Sequence, residues 1–114
     1  MALNEGKHNA EFLLSEGNGS ISREEVTIAA AAGALVPGTV VGKITATGKY
    51  KEYNNGAADG TEVAAGIVYR AVADSTGDQK AVIICRFAEV KKDELTGLDT
   101  PGEADLKALG VICR

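Results

Sequence analysis

The sequence predicts an α+β fold: a mostly β single domain with short strands, one helix in the C-terminal region and an extended N-terminal arm. Three observations predict it. Runs rich in β-branched residues alternate with proline, glycine and Asn-Gly turn signals from residue 26 onward. One segment near the end carries helix start and stop signals. Residues 1–25 hold five acids, two bases and three glycines and sustain neither periodicity.

Taken in order, that arm contains one apolar cluster, Phe12-Leu13-Leu14, followed by Ile21. It reads either as a frayed terminus or as an arm that orders on a partner. In the second case Phe12, Leu13, Leu14 and Ile21 are its anchors. The β-rich domain then spans residues 26–114. Residues 26–32 are the first strand candidate, and Val36-Pro37-Gly38 is a turn leading into residues 39–45, β-branched at most positions. Thr47-Gly48, Asn54-Asn55-Gly56 and Asp59-Gly60 mark further turns. Residues 66–72 form the next strand, residues 74–78 a hairpin loop, and residues 80–87 its partner. Within that partner Val82, Ile84 and Arg86 share one face, and Ile83, Cys85 and Phe87 the other. Apolar residues on both faces imply a central or interface strand. Residues 91–95 read equally as a helical turn or as irregular chain. Thr100-Pro101-Gly102-Glu103 has the form of a capping box, with Leu106 and Leu109 as the apolar stripe of a helix that Gly110 stops. Val111-Ile112-Cys113-Arg114 returns as a terminal strand.

Composition excludes several functions. At 114 residues the chain holds one domain, with 18 alanines, 14 glycines and five aromatics, too few for a stacking platform. A net charge of −4 argues against nucleic acid, whose binding depends on lysine and arginine displacing phosphate counterions. The longest apolar stretch, residues 28–36, is nine residues, less than half a bilayer span, so no membrane partner is expected. No basic start precedes an apolar run, so no signal peptide is expected either. With two cysteines and no export signal, Cys85 and Cys113 are expected as free, buried structural thiols of a reducing compartment, although neighbouring strands could bring them into pairing distance.

Chemistry finds little support. The one histidine, His8, lies in the arm, where nothing fixes its tautomer. No Cys-x-x-Cys or histidine pair accompanies the cysteines, so no metal is expected. Gly17-Asn18-Gly19 opens no helix, and the Gly38 to Lys43 stretch has the wrong spacing for a phosphate loop. Tyr50, Tyr53 and Tyr69 suit core or subunit packing better than a ligand shelf. Lys80 follows a polar loop but lacks the flanking residues of a lipoyl or biotinyl carrier. No catalytic residue, cofactor or metal is assigned, and the chain is not expected to be an enzyme.

One ordered series is specific. Gly33-Ala34-Leu35-Val36-Pro37-Gly38-Thr39-Val40-Val41-Gly42 is followed by Gly48-Lys49-Tyr50, then by Ala58-Asp59-Gly60-Thr61-Glu62-Val63-Ala64-Ala65-Gly66-Ile67-Val68, a strand, a polar loop and another strand. It resembles the lambda-type bacteriophage head decoration protein family. The resemblance implies a structural virion protein of late assembly: a homotrimer that cements the outside of the expanded capsid at local three-fold positions and stabilises it against DNA pressure. Its partner would be the major capsid protein, gripped by the arm at 1–25 through Phe12, Leu13, Leu14 and Ile21. Its place would be the capsid exterior, after the host cytoplasm during assembly. An arm of 25 residues spans roughly 80 Å when extended, enough to cross between subunits. The alternative is a host-surface or carbohydrate-binding module displayed on the particle, for which exposed aromatics are scarce.

Overall fold

The structure is a computed structural model that describes residues 12–17, 21–30, 33–73 and 77–114. His8, Gly19, the end of the expected first strand and most of the 74–78 loop lie outside the described residues. Among those described, the strands are β1 (Leu13–Glu16), β2 (Arg23–Ile28), β3 (Val40–Lys43), β4 (Tyr50–Glu52), β5 (Ala64–Val68), β6 (Gln79–Ile84), β7 (Ala88–Val90) and β8 (Val111–Cys113). A 3-10 turn at Lys92–Glu94 and helix α1 (Thr100–Ala108) separate the last two. The expected mostly β, α+β architecture is what forms.

Five strands close into a barrel in the order β2-β4-β3-β5-β6. β6 returns antiparallel onto β2, from Arg23 opposite Ile84 to Ile28 opposite Gln79. β4 joins β2 in parallel, with Ile28 beside Tyr50. The other three strands make a separate open sheet, β1-β7-β8, antiparallel and then parallel.

Successive residues of a strand face opposite ways, so adjacent apolar residues feed two cores. Val41, Val68 and Ile83 pack with Val26, Ile28, Leu35 and Tyr50. Their neighbours Val40, Ile67 and Ile84 pack instead with Phe12, Val90, Leu106 and Val111 from the open sheet and α1. Of the two apolar faces expected of residues 80–87, Ile83 on one and Ile84 on the other are therefore both covered within this chain, whereas Phe87 is exposed. Each fully buried Ile or Leu contributes about 1.5–3 kcal/mol relative to an exposed one.

The turn before β3 follows its residues closely. Pro37 supplies the first central position and Gly38, at φ 93°, the second, while Thr39 N–H donates to Val36 O at 3.2 Å. A Cβ on Gly38 would also stand 2.7 Å from Glu94 O. At Gly42 the need is space: a Cβ there would lie 2.6 Å from Thr61 Cα, so glycine lets the Thr61 loop rest on β3.

Several expected boundaries are corrected. The strand expected at 80–87 ends at Ile84, because Phe87 adopts φ 49° and turns the chain into β7. Those expected at 26–32, 39–45 and 66–72 run instead over Arg23–Ile28, Val40–Lys43 and Ala64–Val68. The helix cap is Asp99, not Thr100. Its Oδ1 accepts Gly102 N–H at 2.8 Å, the N–H a Thr100 cap would serve (that of Glu103) already donates to Asp99 O at 2.9 Å, and Thr100 is itself helical. Leu106 is fully buried, but Leu109, expected beside it, caps the helix C-terminus and is exposed. Asp105 Oδ2 accepts Ala64 N–H at 3.0 Å and ties α1 to β5.

Candidate interaction surface

The four residues expected to grip a partner fall into two pairs. Phe12 is buried in the core between the open sheet and the barrel, and its carbonyl accepts Lys91 N–H at 2.6 Å. Leu13 is half-buried against the same core. Leu14 and Ile21 are exposed, at 45% and 51%. The alternation along β1 explains the split at 13 and 14: one side chain faces the core and the next faces solvent.

β1 is bound to the barrel by a dense polar bracket. Arg23 donates to both oxygens of Glu16, Nη2 to Oε1 at 2.6 Å and Nε to Oε2 at 3.1 Å, in the bidentate geometry that strengthens such pairs. Its guanidinium lies 4.2 Å from the centre of the Tyr69 ring. Gly17 N–H donates to Ser22 Oγ at 2.8 Å and to Phe87 O at 3.0 Å. Ser22, itself fully buried, donates its hydroxyl to Phe87 O at 2.9 Å. Among the described residues β1 and β8 have one strand neighbour each, and an edge of this kind is one from which a further strand can be added.

Five further large apolar residues are exposed among the described residues, Val36 and Val63 beside the barrel strands and three others nearer the open sheet and α1. Phe87 is 60% exposed, Leu109 40% and Ile112 39%. The sequence marked Phe87 as part of one face of a central or interface strand, and Leu109 and Ile112 as helix stripe and terminal strand, since an apolar residue in a strand or helix pattern reads as core.

The shifted titratable groups owe their shifts to burial and to hydrogen bonds. Cys85 and Cys113 are both free; burial, above all, pushes each thiol above its ordinary value. A protonated thiol is a poor nucleophile. Burial and the bond its hydroxyl donates to Asp99 Oδ1 at 2.7 Å push Tyr53 up to about 12. Lys51, with Thr61 behind it, holds Asp59 well below the usual carboxylate range. Among the described residues no three His, Cys, Asp or Glu side chains converge as metal ligands, and no helix is long and apolar enough to cross a membrane.

Compared with known families, the sequence matches bacteriophage lambda head decoration protein D over residues 2–111. The chain belongs to that family. No curated protein matches it. Head decoration is a structural role on the phage capsid, and membership places this chain among capsid components of the virion. For a head decoration protein the functional site is a contact surface, so exposed apolar side chains and free strand edges are the features that matter.

Proposed function

We propose that this head decoration protein is not an enzyme but a homotrimeric cement. It seats on the outside of the expanded capsid at local three-fold positions and stabilises the shell against the pressure of packaged DNA. Its N-terminal segment, residues 1–25, grips the major capsid protein. Within it Phe12 and Leu13 hold the segment to the domain, while Leu14 and Ile21 meet the shell. The observation that carries this reading is the family match over nearly the whole chain, joined to exposed Leu14 on a strand that has one strand neighbour among the described residues. Strand addition at such an edge supplies main-chain hydrogen bonds, and side-chain pockets set the register. Three grips on one trimer act together, so weak single contacts hold firmly. A ligand of the assembled shell alone stabilises that shell by mass action. Before attachment, the protein resides in the host cytoplasm.

Co-sedimentation with expanded, undecorated capsids tests the reading. The protein should bind saturably and delay rupture of the shells on heating. Leu14→Ala and Ile21→Ala should each weaken attachment by about 1–2 kcal/mol without lowering the melting temperature. Failure of the intact protein to bind expanded shells overturns the capsid role. Full binding by the double variant overturns the assignment to these two residues.

A further inference from the structure

We infer that the Asn55-Gly56 pair is a self-modification site, where Asn55 converts to aspartate and isoaspartate without an enzyme at a rate held down by Asn54. The inference is independent of the capsid reading and concerns a turn to which that reading gives no part. The turn joins β4 to the Thr61 loop that rests on Gly42. Ala57 N–H donates to Asn54 O at 3.0 Å, so Asn55 and Gly56 are the two central residues. Both are exposed, and asparagine is among the thermally labile residues. The Asn55 carboxamide makes no hydrogen bond among the described residues, so it is free to turn toward the chain. Gly56 has no side chain to keep that carboxamide from its nitrogen. The fold does not itself demand glycine here. Its φ lies outside the left-handed region, and a Cβ would meet only Asn54 Oδ1, at an ordinary contact distance of 3.5 Å.

The reaction needs only the chain, hydroxide and water. Gly56 N gives its proton to hydroxide and attacks Asn55 Cγ. A C–N bond forms, the carboxamide nitrogen takes up a proton and leaves as ammonia, and a cyclic imide remains. Water then adds to either imide carbonyl, and opening of the ring gives aspartate or isoaspartate; nothing is oxidised or reduced. Each event adds one negative charge to a net charge of −4. The isoaspartate form also lengthens the main chain within a turn whose ends are tied by the Ala57 bond and by Asn54 N–H to Thr61 O at 3.0 Å. The neighbouring candidates are closed off. Asn54 Oδ1 accepts Gly56 N–H at 2.9 Å in an Asx turn, so this carboxamide is occupied, and the residue after it carries a side chain. The same bond keeps the Gly56 proton on its nitrogen, because a carboxamide oxygen is too weak a base to remove it. At Asp59-Gly60 the corresponding nitrogen donates to Glu62 Oε2 at 2.7 Å. Lys51, at 2.7 Å, and Thr61 Oγ1, at 2.6 Å, hold Asp59 as a carboxylate, which is not open to attack.

Incubation of the folded full chain in mildly alkaline buffer, beside a free peptide of residues 50–61, tests this by peptide mapping and mass spectrometry. Residue 55 should gain the mass of an amide-to-acid exchange, take its new oxygen from heavy-oxygen water and become a substrate for an isoaspartate-specific methyltransferase. The rate should rise with pH, as removal of the Gly56 proton requires. Gly56→Ala, which the fold accommodates, should slow conversion severalfold, and Asn55→Ser should abolish it, both with the parent's melting temperature. Asn54→Ala frees the Gly56 N–H and should speed conversion severalfold, toward the rate of the peptide. A folded parent that keeps its Asn55 amide while the peptide converts overturns the site, as does conversion at Asn54 or Asp59 in place of Asn55. An unchanged rate in Asn54→Ala overturns the restraint assigned to Asn54.

Discussion

The barrel and the open sheet solve the same problem in opposite ways. In the barrel every strand has two neighbours, so no backbone edge is left for another chain. In the β1-β7-β8 sheet both outer strands have one strand neighbour among the described residues, and the exposed apolar residues Leu14, Phe87 and Ile112 lie in or directly beside it. Closure makes a scaffold, and incompleteness makes a surface. Val40, Ile67 and Ile84 connect the two, since the outer face of the barrel is the floor on which the sheet and α1 rest.

If that division holds, the largest effect comes from the barrel interior. Ile83 is fully buried there, and Ile83→Ala should cost about 4 kcal/mol. Urea unfolding at fixed protein concentration should show an earlier midpoint with an unchanged slope. Amide exchange should accelerate in both sheets together, because the open sheet has no floor without the barrel. Acceleration confined to β2–β6 would show instead that the sheet stands without its supposed support.

Phe12→Ala sharpens the comparison from the other side. Phe12 is 1% exposed in the layer between the two units, so truncation should cost about 3 kcal/mol. Native-state hydrogen exchange should rise in β1, β7 and β8 while the barrel amides of β2 and β6 keep their protection. Uniform acceleration would mean that the two units open as one. An unchanged stability would mean that Phe12 is free to leave the core, as an arm anchor shared with a partner would be.

The same contrast separates what the sequence made legible from what it did not. Local chemistry was readable: the Pro37-Gly38 turn, the Gly110 stop and the helix before it all appear where their residues place them. The helix cap was misplaced by one residue because Thr100 and Glu103 have capping-box spacing, whereas Asp99 reaches the N–H that follows Pro101. Barrel closure was not readable, since β6 meets β2 more than fifty residues away through hydrogen bonds that leave no local periodicity. β1 was hidden for a related reason, its four residues being too few to show alternation within a polar segment. The corner at Phe87 gave no signal at all, because phenylalanine is not a turn residue and only tertiary contacts hold it at positive φ. Of the four proposed anchors, Leu14 and Ile21 are exposed while Phe12 is buried, a split that a four-residue strand in a polar segment did not announce.

The smallest effect belongs to the polar side of the barrel, where Lys51 on β4 meets Asp59 at 2.7 Å. Lys51 is the main reason that Asp59 ionises well below its ordinary value of 3.8, with Thr61 Oγ1 and N–H adding donors at 2.6 and 3.1 Å. The folded state therefore holds the proton less tightly than the unfolded chain. The stability this gives is complete above pH 3.8 and is lost as pH falls through the lowered folded value. Lys51→Met should move the Asp59 carboxyl titration, followed by NMR, up toward 3.8 but not to it, because the Thr61 bonds remain. The difference in melting temperature between parent and variant should be slight, as for other solvated ion pairs, largest near neutral pH, and should close as the solution is acidified. A gap that widens in acid, or an Asp59 titration that does not move, would show that Thr61 rather than Lys51 sets this carboxylate. The barrel would then need no ion pair on its solvated face, and its contrast with the open sheet would be entirely one of closure and packing.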